Sequence, residues 1–451
     1  MSPLEAPSQS KEILTLGELF PDGSAIDRLR QNLLVLWHKG DEQIQATVEC
    51  NGRIYAAAAL DSRLEEVLRL PARTEDFGTT ESLTADVSQL IRRYTVLDDA
   101  AALLVTSFIV STWVVDCLPS APCLNVWGPA GTETVLVDLL SCLCRHPLRV
   151  AEPSVRDLLS LPPGLSPTLI IKQPSERTLT RLLAATTEPD VNLLRDGRCI
   201  NVQCPTIVCT GEPVAVSALS FRLVPDKAEY RRIGKREAQE LAEKFQPRLM
   251  RYRLSQHRLV ADSHFDRPAF APDTRLLARI LGASVEGSPA LQGRIVDALS
   301  RMDEQCKVEQ SQGLGAVVLE ALLVLCHEHK PRALVLEVTT LANGILLGRH
   351  ENLELTPKAV GGIMRKKLGL WTERHGPGYE LQLIGETPKL IHHLAAAYNV
   401  LSLQNPVDDC LQCEELNGSS RDGSQQEAGE VQAYEVQEVQ EVHKPQETAE
   451  I

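Results

Sequence analysis

From Cys123 to Pro225 short apolar segments alternate with longer segments of helical periodicity. The short segments are bounded by Gly, Pro and charged residues, as expected for strands. They are, in order, "CLNVWG", "PLRVAE", "PTLIIK", "PTIVCTG" and "SFRLVP". Alternation of this kind is typical of a mostly parallel sheet with helices on both faces. The sequence therefore predicts an α/β core in the middle of the chain.

The first predicted strand runs directly into a Gly-Pro-x-Gly turn and a helix, in the stretch "CLNVWGPAGTETVLVDLL". Strand, glycine turn and helix form the outline of a phosphate-binding loop. In such a loop backbone N–H groups wrap the phosphates, a Lys neutralises them and a hydroxyl ligates Mg²⁺. With Gly128 as the first glycine and Gly131 inside the turn, the other key positions fall on Glu133, Thr134 and Val135. The loop therefore has the shape of a nucleotide site without its charges.

Each of these residue types opposes ATP and Mg²⁺. Glu133 places a negative charge where a triphosphate would lie, and Val135 cannot hold a metal. A second strand should supply an Asp-Glu pair, but "PTLIIKQP" ends in Lys172 and Gln173, which cannot replace a metal-bound carboxylate and a general base. We therefore expect a degenerate nucleotide site with no catalytic residues and with neither ATP nor Mg²⁺ as a cofactor. An ordinary strand-to-helix turn remains the alternative.

The segment from Ser82 to Asp266 resembles the P-loop (AAA+-like) ATPases that accompany primases and helicases of bacterial phages and mobile elements. A helical lead-in, "LIRRYTVLDDAAALLVTSFIVSTWVVDCLPSAPCLNVWGP", runs straight into the glycine loop, and a basic helix, "KREAQELAEKF", follows the last strand. The resemblance implies a P-loop NTPase-like core, whereas the absent Lys, hydroxyl and acids imply no hydrolysis. The same relatives commonly end in a winged helix.

The region after Gly313 predicts such a C-terminal module. "GAVVLEALLVLCHEHK", "VLEVTTLANGILLGRH" and "LTPKAVGGIMRKKLGL" have helical spacing, and "LWTERHGPGYELQLI" predicts two strands around a Gly-Pro-Gly turn. Thr356 suits the N-cap of the third helix, with Pro357 at its first position. Three helices followed by a hairpin predict a winged helix.

DNA is the partner that the third helix and the hairpin suggest. Lys358, Arg365 and Lys366 lie off the apolar stripe of the helix, where they could reach phosphates or bases, and Arg374 and His375 lie on the predicted wing. The alternative is a winged helix that binds protein, with these cations as a solvated face. The segment offers no Asn or Gln for adenine readout, so no sequence preference is predicted.

Net charge gives a misleading picture of the partners. The whole chain carries −14, but residues 414–451 have ten Asp/Glu against two Lys/Arg, whereas residues 227–258 have ten Lys/Arg against four Asp/Glu. Local charge rather than the total decides what an anion meets. The basic segment, which Pro247 is expected to interrupt, includes four arginines that could follow a nucleic-acid backbone or form a solvated helix face: Arg248, Arg251, Arg253 and Arg258.

The cysteines and histidines do not form a recognisable metal motif in sequence. Cys410 and Cys413 are a lone C-x-x-C pair, and a zinc site needs a second pair at defined spacing. His392 and His393 are the nearest candidates but lie on a predicted helix, and "CHEHK" at residues 326–330 ends another helix. We therefore expect no metal site, and reduced cysteines because the chain shows no secretion signal.

The sequence predicts the following organisation: a flexible leader (1–24), a small mixed α/β segment (25–75) with a hairpin at Asn51-Gly52, the degenerate P-loop domain (76–266), a helical linker (267–312), the winged helix (313–405) and a disordered acidic tail (414–451). A helix from about residue 84, capped by Thr84, is expected to begin the lead-in.

The apolar run from Ala101 to Val115 is too short for a membrane span. We expect a cytoplasmic protein.

The function predicted first is that of a non-hydrolysing, P-loop ATPase-like protein with a DNA-binding winged helix, acting as an accessory or scaffold in the replication of mobile-element DNA. Two alternatives remain open: an active ATPase or helicase with an atypical loop, and a protein-binding scaffold without DNA binding. Other protein partners or a homo-oligomer are compatible with each of these.

Overall fold

The structure is a computed structural model that describes residues 12–162, 164–188, 191–195, 197–211, 218–224, 232–376, 378–400 and 410–413. The chain divides into two compact units, Met1–Asp303 and Glu304–Ile451. The predicted acidic tail (414–451) and the first eleven residues of the predicted leader lie outside the described residues. Among the described residues, no helix combines the length and the apolar character that a membrane crossing requires.

The described part of the first unit begins with strands, from residue 13 onward. Seven strands precede the first helix: β1 (Ile13–Thr15), β2 (Gly17–Leu19), β3 (Ala25–Arg28), β4 (Leu34–His38), β5 (Asp41–Gln45), β6 (Thr47–Cys50) and β7 (Arg53–Ala57), followed by α1 (Ser62–Leu68). They form two sheets, in the orders β2-β3-β4-β5 and β1-β7-β6. The expectation of a leader over residues 1–24 was therefore wrong for its second half, because β1 pairs with β7 and β2 with β3.

The hairpin predicted at Asn51-Gly52 is confirmed. These two residues connect β6 and β7, which pair in antiparallel register. Their φ angles are 50° and 69°. Positive φ at both central residues is the requirement of the tight turn that matches the twist of the strands, and Asn-Gly meets it at the lowest cost.

Two helices then lead into the core, α2 (Thr80–Tyr94) and α3 (Asp99–Trp113), followed by a short 3₁₀ turn at Val115–Cys117. The N-cap of α2 is Thr79, whose hydroxyl accepts a hydrogen bond from the Ser82 N–H. The prediction of Thr84 as the cap was wrong, because Thr84 is buried within the helix and its hydroxyl donates to the Thr80 carbonyl. Helix α3 is buried along nearly its whole length, which explains its uniformly apolar sequence.

The centre of the first unit is a five-stranded parallel sheet. Its elements in chain order are β8 (Cys123–Trp127), α4 (Thr134–Leu143), β9 (Pro147–Val150), α5 (Val155–Leu158), β10 (Thr168–Lys172), α6 (Glu176–Thr187), β11 (Asn192–Arg195), β12 (Arg198–Asn201), β13 (Thr206–Thr210) and β14 (Leu219–Arg222). The strand order is β14-β8-β13-β10-β9, and β11 and β12 form a separate hairpin. The predicted α/β core with a mostly parallel sheet is therefore confirmed.

Apolar side chains cover both faces of this sheet, as a parallel sheet requires. Ile170 of β10 belongs to the main core, in which α4 is buried. Its neighbours Leu169 and Ile171 point to the opposite face, where they pack with Leu182 of α6. The period of two along β10 thus places one helix on each face.

Three helices complete the first unit: α7 (Lys235–Ala261), α8 (Pro272–Ala283) and α9 (Pro289–Gln312), the last of which crosses the division between the units. Helix α7 continues through Pro247, contrary to the predicted interruption. Pro247 and its neighbours Phe245 and Leu249 are buried, so packing offsets the missing N–H. The predicted linker is also part of this fold, because apolar residues of α8 and α9 lie in the main core.

A buried network of charges connects the elements of the first unit. Asp27 of β3 is fully buried and accepts hydrogen bonds from Arg145 (3.0 Å) and Arg253 (2.6 Å). Arg253 of α7 also donates to both carboxylate oxygens of Asp116 at 2.6 Å and to the Trp113 carbonyl at 2.8 Å. One arginine therefore connects the N-terminal strands, the end of α3 and helix α7.

The second unit contains α10 (Leu314–His327), β15 (Arg332–Leu334), α11 (Val335–Gly348), α12 (Pro357–Lys366), β16 (Glu373–His375), β17 (Gly378–Gln382) and α13 (Thr387–Ala397). The sheet order is β15-β17-β16, and all pairs are antiparallel. Thr356 is the N-cap of α12, as predicted, and accepts a hydrogen bond from the Ala359 N–H. The predicted stripe is also confirmed, because Val360, Met364 and Leu368 are buried in the unit's own core.

Candidate functional site

The loop after β8 lies at the point of the parallel sheet where chain connections diverge. From β8 the chain proceeds to β9 at one edge, whereas from β13, the neighbour of β8, it proceeds to β14 at the other edge. In open α/β sheets ligands bind outside the carboxyl ends of strands at such a switch point. Residues 128–133 occupy this place between β8 and α4.

Glycine is required at both predicted glycine positions of the loop. Gly128 has φ of 153°, and a Cβ there would lie 2.4 Å from the Leu223 carbonyl oxygen. Gly131 has φ of 94°, in the region that side chains disfavour, although its surroundings are open. Steric exclusion thus explains Gly128, and backbone conformation explains Gly131.

Glu133 fills the loop with its own carboxylate. One carboxylate oxygen accepts a hydrogen bond from the Gly131 N–H at 2.8 Å, and the other pairs with the Lys172 ammonium at 3.1 Å. A phosphate-binding loop would offer both the amide and the cation to a phosphate. The loop therefore holds an internal anion in contact with the groups that would otherwise bind an external one.

Electrostatics keep this internal anion charged. Partial burial alone would raise the pKa of Glu133, but backbone N–H groups at the start of α4 and the Lys172 ammonium together hold its pKa below its usual value. Side-chain exposure is 18 % for Glu133 and 44 % for Lys172. The pair is therefore partly solvated and contributes little to the stability of the fold. Its main effect is that the Glu133 carboxylate occupies the loop.

The structure brings Lys172 and Gln173 to the same edge as the loop. Lys172 ends β10 next to Cys209 of β13, and the Gln173 N–H donates to the Cys209 carbonyl at 2.7 Å. Gln173 has φ of 47°, a left-handed conformation that is uncommon for a residue with a side chain. The edge that would need carboxylates for a metal thus presents an ammonium and an amide.

Thr134 and Val135 begin helix α4. The Thr134 N–H donates to the Gly131 carbonyl at 3.3 Å, so it closes the turn. Val135 is half-buried against the main core. An isopropyl group packed in this way is part of the apolar framework, which is inconsistent with a metal ligand at the position.

The arginines of α7 do not form the predicted nucleic-acid surface. Arg253 is buried, Arg248 pairs with Asp86 at 2.8 Å and Arg251 pairs with Glu42. Arg251 also stacks on the Trp37 ring, 4.0 Å from its centroid. Arg258 alone among the four keeps most of its side chain exposed, 67 %. Both interpretations of this cluster, a phosphate track and a solvated face, were wrong for three of its members.

The cations of α12 and the following hairpin are exposed instead. Lys358, Arg365 and Lys366 lie on α12, and Arg374 and His375 lie on β16, all with exposed side chains. From residue 356 to 375 five Lys/Arg stand against one Glu, a local charge of +4. Within the described part of the chain, these basic side chains form no ion pair.

One contact joins the helix to the hairpin and was not foreseen from the sequence. The Arg365 guanidinium lies over the Tyr379 ring of β17, 5.8 Å from its centroid, and donates to the Gly361 carbonyl. Lys367, the C-cap of α12, and Trp371, whose exposure is 79 %, extend the same chain segment. An exposed tryptophan beside cations is the kind of signal that could have been read from "RKKLGLW".

Four potential metal ligands converge elsewhere in the second unit. Ligand atoms of His327, His392, Cys410 and Cys413 all lie within 4.8 Å of one another. The sequence prediction of no metal site compared Cys410 and Cys413 only with His392 and His393, and interpreted "CHEHK" at residues 326–330 as the end of a helix. His327 lies 65 residues before His392, so the two were not considered together. Only the packing of α10 against α13 makes the set visible.

No protein-family model and no curated protein matches the chain. Among solved structures, the chain is similar to the apo C-terminal region of NrS-1, with 11 % identity and a TM-score of 0.31 over 80 % of this chain and 96 % of that one. It is also similar to a full-length MCM homolog from Methanopyrus kandleri, with 12 % identity and a TM-score of 0.34 over 62 % of this chain and 73 % of that one. A third similar structure is that of Cdc6p from Pyrobaculum aerophilum, with 10 % identity and a TM-score of 0.18 over 76 % of this chain and 98 % of that one. Similarities at these TM-scores decide nothing about function.

Proposed function

We propose that the chain is a non-hydrolysing, P-loop ATPase-like protein that binds DNA through its second unit and serves as an accessory or scaffold in DNA replication of a mobile element. The exposed cations of α12 and β16, which form no ion pair with any residue that the structure describes, carry the proposal. Helix α12 is the recognition helix of a winged helix, and the β16–β17 hairpin is its wing. The degenerate loop in the first unit keeps the frame of a nucleotide site.

Geometry and charge together support DNA as the ligand. The sequence of elements in the second unit is helix, strand, helix, helix and hairpin, with α12 third among the helices. Val360 and Met364 bury one side of α12, so Lys358 and Lys366 extend from the other. Small glycines at 361 and 362 allow close approach to a groove, and cations at both ends of the helix can contact phosphates.

Binding of labelled DNA across a range of salt concentrations tests this proposal. Each phosphate neutralised contributes about −0.9 to the slope of log K against log salt, so four contacts predict a slope of roughly −4 on duplex DNA. A variant with Lys358, Arg365, Lys366 and Arg374 all changed to Ala is expected to lose the binding. Absence of binding by the unmodified chain even at low salt would contradict the proposal and leave the protein-binding scaffold.

The Glu133–Lys172 pair supports the absence of ATP hydrolysis. A triphosphate would have to displace the carboxylate from the Gly131 amide and would meet its charge. We expect no change in melting temperature on adding Mg-ATP, and no phosphate release. A shift of several degrees with the unmodified chain would favour the active-ATPase alternative.

A loop variant sharpens this test. Replacing Glu133 with Gly and Thr134 with Lys removes the internal anion and adds the missing cation, so we expect nucleotide to shift its melting temperature. Hydrolysis should still be absent, because Lys172 and Gln173 remain where acids are needed. Glu176→Gly, which removes an exposed acid at the start of α6, is the matched control. Adding nucleotide should not change the melting temperature of this control variant.

A further inference from the structure

Two helix positions and a C-terminal turn converge on one point in the second unit. His327 is the last residue of α10, His392 lies in α13, and Cys410 and Cys413 lie in the last described segment. His392, Cys410 and Cys413 are buried, and His327 is half-buried. The chemistry of this set is separate from both the loop and the basic surface described above.

Three of the distances between the four side chains are close to the edges of a tetrahedron around a metal, and no two of the ligand atoms are more than 4.8 Å apart. His327 Nε2 and His392 Nε2 are 3.2 Å apart, Cys410 Sγ is 3.2 Å from His392 Nε2, and Cys413 Sγ is 3.4 Å from His327 Nε2. Tetrahedral zinc, with Zn–N of about 2.0 Å and Zn–S of about 2.3 Å, separates two nitrogens by roughly 3.3 Å and a nitrogen from a sulfur by roughly 3.5 Å.

Hydrogen bonds alone cannot account for the three contacts. The Nδ1–H of His392 donates to the Pro388 carbonyl at 2.7 Å, which leaves its Nε2 with one lone pair facing both His327 and Cys410. The Nε2 of His327 would then have to donate to His392 and also accept from Cys413, which one nitrogen cannot do. A cation shared by all four atoms satisfies every contact at once.

The orientation of His392 also suits metal binding. Its hydrogen bond to the Pro388 carbonyl fixes the tautomer that presents Nε2 to His327 and Cys410, as the partners of metal-bound histidines usually do. Imidazole nitrogens and cysteine sulfurs are the ligand atoms of structural zinc sites.

We propose that His327, His392, Cys410 and Cys413 bind one Zn²⁺ ion in a closed, structural site. Two nitrogens and two sulfurs complete a tetrahedron, which leaves no open position for a substrate or water. The soft thiolates select zinc over Mg²⁺ or Ca²⁺. The ion attaches residues 410–413 to the end of α10 and the middle of α13, so this short segment becomes part of the folded second unit.

Metal analysis of the full chain tests the site directly. Protein purified under reducing conditions, or refolded with zinc and freed of excess, is expected to contain one zinc ion per chain. Cys410→Ser and His392→Ala should lose the ion. Cys326→Ser and His393→Ala, which alter the neighbouring thiol and the exposed neighbouring imidazole, should keep it.

Cobalt substitution provides a readout that does not depend on how the variants fold. Co²⁺ bound to the unmodified chain should show the intense visible bands of tetrahedral coordination and the ultraviolet bands of thiolate ligation. Zinc should displace it and abolish both. Octahedral cobalt bands, or cobalt spectra without thiolate bands, would overturn the assignment.

Thiol protection distinguishes a metal site from a disulfide. Cys410 and Cys413 should resist alkylation until a chelator removes the ion, and the chelator should also expose the C-terminal segment to limited proteolysis. Chains that contain no zinc after both purification and reconstitution would overturn the proposal, as would thiols that only a reductant releases. Neither result depends on DNA binding, so this inference and the proposed function can fail separately.

Discussion

Helix α7 and the α12–β16 region have similar sequences in one respect, since both are rich in Lys and Arg, yet their cations have opposite fates. On α7, Arg248, Arg251 and Arg253 point toward Asp86, Glu42 and the Asp27–Asp116 pair. Between residues 356 and 375 the described cations have no acidic partner. The first group holds the fold together, whereas the second is available to a ligand.

The acids explain this difference. Those that pair with Arg248, Arg251 and Arg253 come from distant parts of the chain, residues 27 to 116, so no local charge count reveals them. Around α12 the exposed acids nearest in sequence are Glu354, before the helix, and Glu373, on β16. A cluster of basic residues is therefore informative about binding only after the tertiary partners of each side chain are known.

The largest expected effect lies in the buried network. Arg253→Met removes the cation that Asp27 and Asp116 share, so we expect the first unit to lose about 3–5 kcal/mol of stability, because the buried Asp27 carboxylate keeps only Arg145 and Asp116 loses its bidentate partner. Urea unfolding followed by tryptophan fluorescence measures this loss. Arg258→Met, on the exposed side of the same helix, is the control and should change the midpoint little.

Acid should weaken the same network. Arg253 outweighs the effect of burial and lowers the pKa of Asp116 to about 2 from its ordinary 3.8. A carboxyl whose folded pKa is depressed contributes stability above its unfolded pKa, and that contribution is lost as pH falls from about 4 to about 2. Because a third of the Asp116 side chain is exposed, the expected loss is on the order of 1 kcal/mol.

Melting temperatures at pH 7, 5, 4 and 3 measure this loss. Asp116→Asn should be less stable than the unmodified chain at neutral pH, and the difference between the two should shrink below pH 4. A constant difference over the whole series would show that the carboxylate charge is not what stabilises the fold.

Removing cations from the two regions should affect DNA affinity unequally. Lys358→Ala with Lys366→Ala is expected to weaken binding roughly 10-fold and to reduce the salt slope by about 2. Arg236→Ala with Arg258→Ala removes the same charge from exposed positions of α7 and should change neither. Equal losses of affinity in both double variants would mean that DNA binding depends only on the total charge of the chain, and that the α12 cations differ in no way from those of α7.

The smallest effect is expected at Arg251. This residue is partly exposed, pairs with Glu42 and stacks on Trp37, so Arg251→Gln should cost about 0.5–1 kcal/mol of stability. DNA affinity should be unchanged. Thermal unfolding and DNA titration on one preparation measure both quantities. A loss of DNA affinity without a loss of stability would indicate that α7 contacts DNA.

Local patterns predicted much of the fold. The five strands of the parallel sheet, the Asn51-Gly52 hairpin and the Thr356 cap follow from periodicity and turn chemistry, which act within a few residues. The same reasoning failed at Pro247 and over residues 13–19. At both places pairing or packing with distant residues outweighs local preference, a competition that no short window of sequence contains.

The candidate sites divide in the same way. The loss of phosphate-binding chemistry at Glu133 and Lys172 could be predicted, because each residue type is incompatible with its position in the motif. The contact between these two residues could not, since it depends on β10 lying two strands from β8. The convergence of His327 and His392 with Cys410 and Cys413 was likewise invisible, because the spacing in sequence follows no metal motif.

By itself, then, the sequence determined the order of strands and helices in the parallel sheet and the chemical character of the glycine loop, because apolar period, turn residues and the charge of one side chain are local properties. Only the tertiary structure decided which arginines are buried, which anion occupies the loop and which four ligands meet. Those outcomes depend on distances between residues far apart in the chain, and packing alone sets such distances.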